Sequence, residues 1–467
     1  MHGIETINKF IQSSRIIEQG VRELLERLPV RFRYGISYGP TFRYWLGFLK
    51  ASENWTKDEI EAYQIEQLRD LTIHARKNIP YYRELFHAYS FNPEKIHCLD
   101  DLKSLPLLER ETVRNRIGDF IDVTIPKSKL ISVHTSGSTG NPLTLYGTKE
   151  TEEKHWATVV NLWSRVGYHP RARLVSFQNI SFGTGSPPIR KVANTLLISR
   201  NCFDTSWMKK FVVMIRAFKP EFIYGFPSHL SYFCHLMESG HELPLEGVKA
   251  VLTDSEGINT WQRGIIEQMC GARVFLSYGM VEKALYGGPC NQSNEIHLYP
   301  QYGIVETVDH SNAEKEIIGT GFINRAMPLI RYQTSDFGEI GACCQACGRF
   351  YPIIKAIDGR AGDYLIDRSG NVISTLMLGH RSGCFDHVRM YQFYQEERGK
   401  VVLRIVRNKT YTEKDTLRIQ KELKRELEIT NNFDISIKFV DDLEKTPTGK
   451  TRVVVQKLAI NDIIKNL

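Results

Sequence analysis

The sequence predicts an α/β protein in two parts, a large multi-sheet N-terminal domain and a small, mobile α+β C-terminal domain. Three observations carry this expectation. From about residue 130 to 310, short β-branched or apolar runs alternate with helical stretches. After residue 363 a hairpin, an amphipathic helix and a further strand make a smaller β/α pattern. Between the two lies "IDGRAGD", Ile357 to Asp363, whose two glycines and flanking charges suit a hinge. The length of 467 residues accommodates about three domains at roughly 150 residues each. A hydrophobic fraction of 42% and a charged fraction of 24% are those of a globular chain able to bury a large core.

Taken in order, residues 1–90 read as a helical lead-in. "TKDEIEAYQIEQLRDLTIHARKNIPYYRELF" carries apolar positions at three- and four-residue spacing until Pro80 interrupts it. An α/β core over 91–300 follows, with "RLVSF", "PEFIYGF", "VKAVLTD" and "ARVFLSYG" as strands and "TWQRGIIEQMC" as a helix. Residues 286–358 turn to short strands and form a small β subdomain, with "GIVETV" and "EIIGTGFI". These make a large domain, 1–358. In the C-terminal domain, 359–467, "RMYQFYQ" and "KVVLRIV" form a hairpin, "EKDTLRIQKELKRELE" an amphipathic helix and "DISIKFV" a strand.

Charge and cysteine usage narrow the function classes. The net charge of +8 comes from 61 basic and 53 acidic residues, too modest to imply a nucleic-acid partner. No segment supplies the ~20 unbroken apolar residues of an integral membrane span. The first residues lack an apolar signal core, so a mature, cytoplasmic protein is expected. "RFRYGISYGPTFRYW", Arg31 to Trp45, mixes basic and aromatic residues. It reads as a polyanion or membrane-surface patch or, with more weight, as a surface segment whose aromatics pack inward. The nine cysteines form no even framework, and most stand alone in apolar contexts as reduced core residues.

"TSGSTGNP", Thr135 to Pro142, lies between two apolar runs. Its glycines permit close backbone approach, and its hydroxyls and exposed amides can donate to anionic oxygens, which is chemistry suited to phosphate. No Lys-Ser/Thr pair ends the loop, so it is not a Walker loop. Further down the chain stand "LTDSEGI" (252–258), "SYGMVE" (277–282), "RYQTSD" (331–336), "DGRAGD" (358–363) and "KTPTGK" (445–450). In this order and spacing the six segments resemble the phosphate loop, the pocket segment and the YGxTE, RYxTGD, hinge and PxTxxGK motifs of the adenylate-forming superfamily, which spans acyl-CoA synthetases and peptide-synthetase adenylation domains. "NIPYYRELF", "YGFPSHL", "AMPLIRYQTSD" and "CQACGRFYP" are similar to its phenylacetate-CoA ligase and coenzyme F390 synthetase branch. "GTGFINRAMPLIRY" and "KTPTGKTRVVVQ" resemble the CapK-like proteins of polysaccharide biosynthesis most.

The resemblance implies the adenylate-forming fold, ATP and Mg²⁺ as cofactors, and a carboxylic acid that attacks the α-phosphate to give acyl-AMP and pyrophosphate. Thr135, Ser136, Gly137, Ser138, Thr139 and Gly140 would cradle the phosphates, with Asn141 where the loop usually has lysine. Ser255, Glu256, Tyr278 and Gly279 would border the nucleotide. Glu282 would bind Mg²⁺, preceded by Val281 in place of the usual threonine. Asp336 would accept from the ribose hydroxyls, and Arg360 would approach the ribose or the phosphate. Lys450, on the mobile domain, would stabilise the charge of the transition state. Phe226, His229, Tyr278 and Met280 are candidates for the acyl pocket and equally for the core.

Cys344 and Cys347 form C-x₂-C, a spacing that lets two thiolates meet one zinc ion, and Cys290 and His297 upstream complete a possible Cys₃His set. Cys343 is an alternative to Cys344. Structural Zn²⁺ is favoured over a redox disulfide, because no thioredoxin-like setting surrounds the pair. The expected function is an ATP-dependent ligase that passes the acyl group to an amine, hydroxyl or thiol acceptor, coenzyme A among them, with a place in surface polysaccharide biosynthesis. The competing readings are AMP transfer to a hydroxylated cofactor, a catalytically inactive nucleotide-binding module, and a surface-binding protein.

Overall fold

The computed structural model of the chain describes residues 39–134, 143–178, 188–199, 205–255, 257–258, 260–309, 315–357, 364–369, 372–374, 385, 387–407, 411–427, 432–444 and 454–458. Within them a helical segment, two larger sheets and a four-stranded sheet follow one another along the chain.

The helical segment forms where the 3.6-residue spacing predicts it. Lys57–Asn78 opens on a capping box: the Glu59 amide donates to the Thr56 hydroxyl at 3.3 Å, and the Thr56 amide donates to the Glu59 carboxylate at 2.8 Å. Such a cap contributes about 1 kcal/mol. The helix ends at Ile79 because Pro80 has no N–H to continue it, and Pro80 starts the next helix, Pro80–Ala88. Leu68, Leu71, Ala75, Ile79, Tyr82 and Phe86 bury a common face against Leu105, Leu108, Ile330 and Tyr332. In the basic aromatic segment, Phe42 and Trp45 of the helix Pro40–Ala51 pack inward while Tyr44 stays exposed. Arg31–Tyr38 lie outside the described residues.

The first large sheet has six strands in the order Ile189–Val192, Thr195–Ser199, Leu174–Gln178, Phe222–Tyr224, Ala250–Thr253 and Val274–Leu276. All neighbours pair parallel except the first two. Alternation sorts the side chains: Val175, Ile223, Val251 and Val274 face a core shared with the helices Thr205–Phe218, Pro227–Ser239 and Thr260–Cys270. Phe222, Leu252 and Phe275 face Ala157, Val160 and Trp163 of the helix Lys149–Ser164. With both faces covered, such strands read as near-continuous apolar runs, which is why they are legible.

The second large sheet is antiparallel, in the order Gly303–Asp309, Lys315–Gly321, Tyr332–Gly341, Ile353–Ile357, Ile296–Leu298, Tyr286–Gly288 and Tyr278–Gly279. Its last strand precedes residue 286, so the sheet takes in part of the segment assigned from sequence to the α/β core. The two runs that flank "TSGSTGNP" pair as an antiparallel hairpin, Ile131–His134 with Thr144–Gly147.

Toward the C-terminus, the antiparallel pair Val388–Glu397 and Lys400–Arg407 is extended by Asp434–Phe439 and Val454–Gln456, each parallel to its neighbour. The helix Glu413–Leu427 contributes Ile419 and Leu423 to a core with Tyr391, Phe393, Leu403 and Ile405. The hairpin, helix and strand are those the sequence predicts.

Candidate active site

Two segments are laced together at two points. The Tyr278 hydroxyl donates to Asp336 Oδ2 at 3.0 Å, and four residues on, Glu282 Oε1 accepts from the Tyr332 hydroxyl at 3.0 Å. The residues run 278 to 282 on one side and 336 to 332 on the other, so the "YGMVE" and "RYQTSD" segments lie side by side in opposite directions. Both carboxylates singled out in the sequence therefore sit along one seam.

A third segment joins at Glu282. The Leu108 amide donates to the Arg331 carbonyl at 2.8 Å, and the Gln333 amide to the Leu108 carbonyl at 3.0 Å. This short parallel bridge sets Arg110 beside the seam, with Nη1 2.8 Å from Glu282 Oε1 and 3.5 Å from the Tyr332 hydroxyl. Glu282 is 8% exposed. Burial works against the charge on Arg110, but the attraction of Glu282 and the Tyr332 contact outweigh it and hold the guanidinium above its ordinary range. Burial also pushes the Tyr332 phenol up, reinforced by the Glu282 charge. The bonds from Arg110 and Tyr332 both fall on Glu282 Oε1, and Oε2 has no hydrogen bond to a described residue. One oxygen is thus left for a cation, which fits the divalent ion the sequence suggests.

The start of the Asp336 segment is fixed from below. Arg331 forks onto Glu306, Nε to Oε2 at 3.2 Å and Nη2 to Oε1 at 3.0 Å, with both side chains largely buried. Ser335 takes φ +60°, where the family motif has glycine, and its amide donates to Glu316 at 3.1 Å. The Asp336 amide donates to the Thr334 hydroxyl at 3.1 Å, which orients the carboxylate toward Tyr278. Gly279 packs against Tyr286 so closely that a Cβ there would lie 2.5 Å from the ring. Val281 is exposed.

Ser255 is exposed, and its hydroxyl donates to Asp254 at 3.0 Å. Of the acyl-pocket candidates, Tyr278 and Met280 belong to an apolar cluster with Leu285 and Ile317, while His229 is buried beside Phe226 with ring centroids 5.4 Å apart. Thr135, Ser136, Gly137, Ser138, Thr139, Gly140, Glu256, Arg360 and Lys450 lie outside the described residues. Arg110, Tyr332 and Asp254 were not singled out by the sequence reading, although Tyr332 and Asp254 stand inside quoted motifs.

The cysteine set assembles at the far end of the antiparallel sheet. Strand pairing sets His297 opposite both Gly288 and Ile353, which brings the turn after Tyr286–Gly288, carrying Cys290, to the turn that carries Cys344 and Cys347. One ligand atom from each of Cys290, His297, Cys344 and Cys347 lies within 4.8 Å of the others. Cys343 is outside this group. The amides of Gln292 and Ser293 donate to Cys290 Sγ at 3.3 and 3.1 Å. His297 Nδ1 contacts the Glu295 carbonyl at 2.8 Å, so that Nδ1 is the protonated nitrogen and Nε2, 3.3 Å from Cys347 Sγ, is free to bind metal. Burial lowers the His297 pKa. Three thiols and an imidazole at this separation are a donor set suited to tetrahedral zinc.

The chain is similar to known proteins over most of its length. A family model described as the CapK C-terminal domain matches residues 365–457. The chain is 28% identical over 346 residues to a phenylacetate-coenzyme A ligase of Aromatoleum evansii, covering 70% of this chain and 77% of that one. It is 23% identical over 410 residues to protein CapK of Staphylococcus aureus, covering 85% and 89%. Among solved structures, 2-hydroxyisobutyryl-CoA ligase with 2-HIB-AMP and CoA in the thioesterification state superposes with a TM-score of 0.57 at 16% identity, over 89% of this chain and 94% of that one. The fold is that of the adenylate-forming enzymes. In sequence the chain is similar both to phenylacetate-coenzyme A ligases and to protein CapK.

Proposed function

We propose that the protein is an ATP-dependent ligase that activates a carboxylic acid as acyl-AMP and passes the acyl group to an amine, hydroxyl or thiol acceptor. The double lacing of Tyr278 to Asp336 and of Glu282 to Tyr332 carries this reading, because it sets two motif carboxylates along one seam. In the first step a carboxylate oxygen of the acid bonds to the α-phosphorus of ATP, and the bond to the bridging oxygen breaks to release pyrophosphate. In the second, the acceptor attacks the acyl carbon and AMP leaves with the oxygen that came from the acid.

Asp336, oriented by Tyr278, accepts from the ribose hydroxyls and fixes the nucleoside. Glu282, steadied by Arg110 and Tyr332, offers its open oxygen to Mg²⁺, which supplies charge neutralisation on the phosphates when bound. Ser136, Ser138, Thr139 and the neighbouring amides cradle the phosphates, Arg360 approaches the ribose or phosphate, and Lys450 stabilises the anionic transition state; these roles rest on the sequence resemblance. Cys290, His297, Cys344 and Cys347 would hold a structural zinc, which would add to the stability of the sheet. A large domain over 1–358 and a lid over 359–467 that moves between the half-reactions complete the reading.

The likeness to phenylacetate-coenzyme A ligases supports coenzyme A as an acceptor, and the resemblance to CapK-like proteins adds an amine or hydroxyl, such as one on a sugar of a surface polysaccharide, as the second reading. The experiment is product analysis by mass spectrometry with ATP, Mg²⁺, a panel of aryl, fatty and amino acids, and hydroxylamine or coenzyme A as acceptor. Acyl hydroxamate or thioester with stoichiometric AMP supports the reading. A product that carries AMP itself replaces it with nucleotidyl transfer.

A further inference from the structure

Asp254 is a carboxylate in an unusual place. It follows the last residue of the strand Ala250–Thr253, at the carboxyl edge of the parallel sheet, where α/β proteins frame their ligands. On one side Thr253 pairs with Leu276, which sets Ser277 beside Asp254; on the other Tyr224 pairs with Leu252, two residues earlier. The Tyr224 hydroxyl lies 3.2 and 3.0 Å from its two oxygens, and the Ser255 hydroxyl donates to Oδ1 at 3.0 Å. Trp163 braces the edge, its ring 5.4 Å from Tyr224 and its indole N–H donating to the Ser277 hydroxyl at 3.3 Å.

Both donors to Asp254 are neutral hydroxyls, and no Lys, Arg or His among the described residues forms an ion pair with it. Crowding raises its pKa above the ordinary carboxyl range, against the pull of the two hydroxyls. The residue as a whole is nevertheless partly exposed. Ser255 holds φ +65°, a left-handed conformation unfavourable for a non-glycine residue, immediately after the carboxylate. Ser277, beside Asp254, is followed by Tyr278, the residue that orients Asp336. A carboxylate that pairs with no cation among the described residues therefore lies beside the residue that precedes Tyr278.

We propose that Asp254 is a specificity-determining residue that selects, as the acid to be activated, an amino acid whose protonated amine pairs with this carboxylate. The inference rests on the adenylation reading above and adds the class of acid. A crowded carboxylate whose partners among the described residues are neutral hydroxyls bears a desolvation penalty that a cationic ligand relieves. Charge-assisted bonds are about twice as strong as neutral ones, so an ammonium is a better complement than a hydroxyl, and a plain alkyl group leaves the carboxylate facing carbon. Tyr224 and Ser255 hold the carboxylate in one orientation for this contact.

The test uses sulfamoyl adenosine analogues of acyl-AMP in two matched series, alanyl, lactyl and propionyl, and phenylalanyl, phenyllactyl and phenylpropanoyl, with affinity read by calorimetry on the whole chain. In at least one series the aminoacyl analogue is expected to bind about 10- to 100-fold tighter than the unsubstituted one. Asp254→Asn is expected to bring the two together. Binding of all members without preference for the amine overturns the inference and leaves adenylation standing, and a preference for the hydroxyacyl analogue overturns it in favour of a hydroxy acid. Failure of every analogue to bind overturns adenylation and this inference together. The wild-type comparison decides the matter even if the variant folds poorly.

Discussion

The Tyr278 hydroxyl and the Asp336 carboxylate meet at 3.0 Å across 58 residues of sequence, and this bond sets the direction of the carboxylate proposed to hold the ribose. Tyr278→Phe removes the donor and leaves the ring in its apolar cluster. A hydrogen bond to a charged group contributes about 1.5–3 kcal/mol, so the KM for ATP is expected to rise roughly 10-fold or more with little change in kcat. Steady-state kinetics at saturating acid check this. An equal fall in kcat would place the bond in the transition state instead.

Arg110 and Glu282 form a largely buried ion pair, with side chains 18% and 8% exposed. Removing one partner strands the other, which typically costs about 3–5 kcal/mol. Arg110→Ala is expected to lower stability by that order. Arg110→Met combined with Glu282→Gln is expected to recover much of the loss, although it cannot restore the metal site. Denaturant unfolding of the single and double variants gives the coupling.

Ser335 sits at φ +60°, a region that costs a non-glycine residue about 1–2 kcal/mol. Ser335→Gly relieves that strain and also gives the unfolded chain more freedom. The net expectation is a stabilisation of about 0.5–1 kcal/mol, read as a shift of the urea midpoint without a change in slope.

The pKa of Asp254 is raised by burial, so folding favours its protonated form over its charged one. At pH 7 the charged form carries the penalty in the folded state. As pH falls toward and below the ordinary carboxyl range, the group takes up its proton and the penalty disappears. Asp254→Asn is therefore expected to melt at a higher temperature than the wild type at pH 7, with the gap closing in acid. A gap that widens in acid would mean that the native state stabilises the carboxylate.

Metal analysis of the purified protein is expected to give one zinc per chain, and Cys347→Ser is expected to lower the content and the melting temperature together. The binding of zinc adds to folding stability, so a strong chelator should destabilise the wild type much more than the variant.

Much of the fold is legible in the sequence because the parallel strands are covered on both faces. "VKAVLTD" and "ARVFLSYG" need no partner to be recognised as strands. The cysteine set is half legible: C-x₂-C is local, but His297 joins it only through the pairing of its strand with Ile353–Ile357. Asp336 and Glu282 can be picked out by motif, whereas their partners cannot. Arg110 reaches Glu282 because Leu108 bridges to the Arg331–Gln333 backbone, a contact over more than 200 residues that leaves no periodic trace near "LLERETVRN". The Asp254 and Tyr224 pair has the same origin, since two residues 30 apart become neighbours only when their strands align in parallel.

The most direct measurement of the central claim is ATP–pyrophosphate exchange with labelled pyrophosphate, Mg²⁺ and a panel of carboxylic acids, without any acceptor. Reversible formation of acyl-AMP predicts label entering ATP only when a suitable acid is present, with loss of that exchange in Lys450→Ala and Asp336→Ala. Absence of exchange with every acid, in a folded protein that binds ATP, would contradict acyl adenylation.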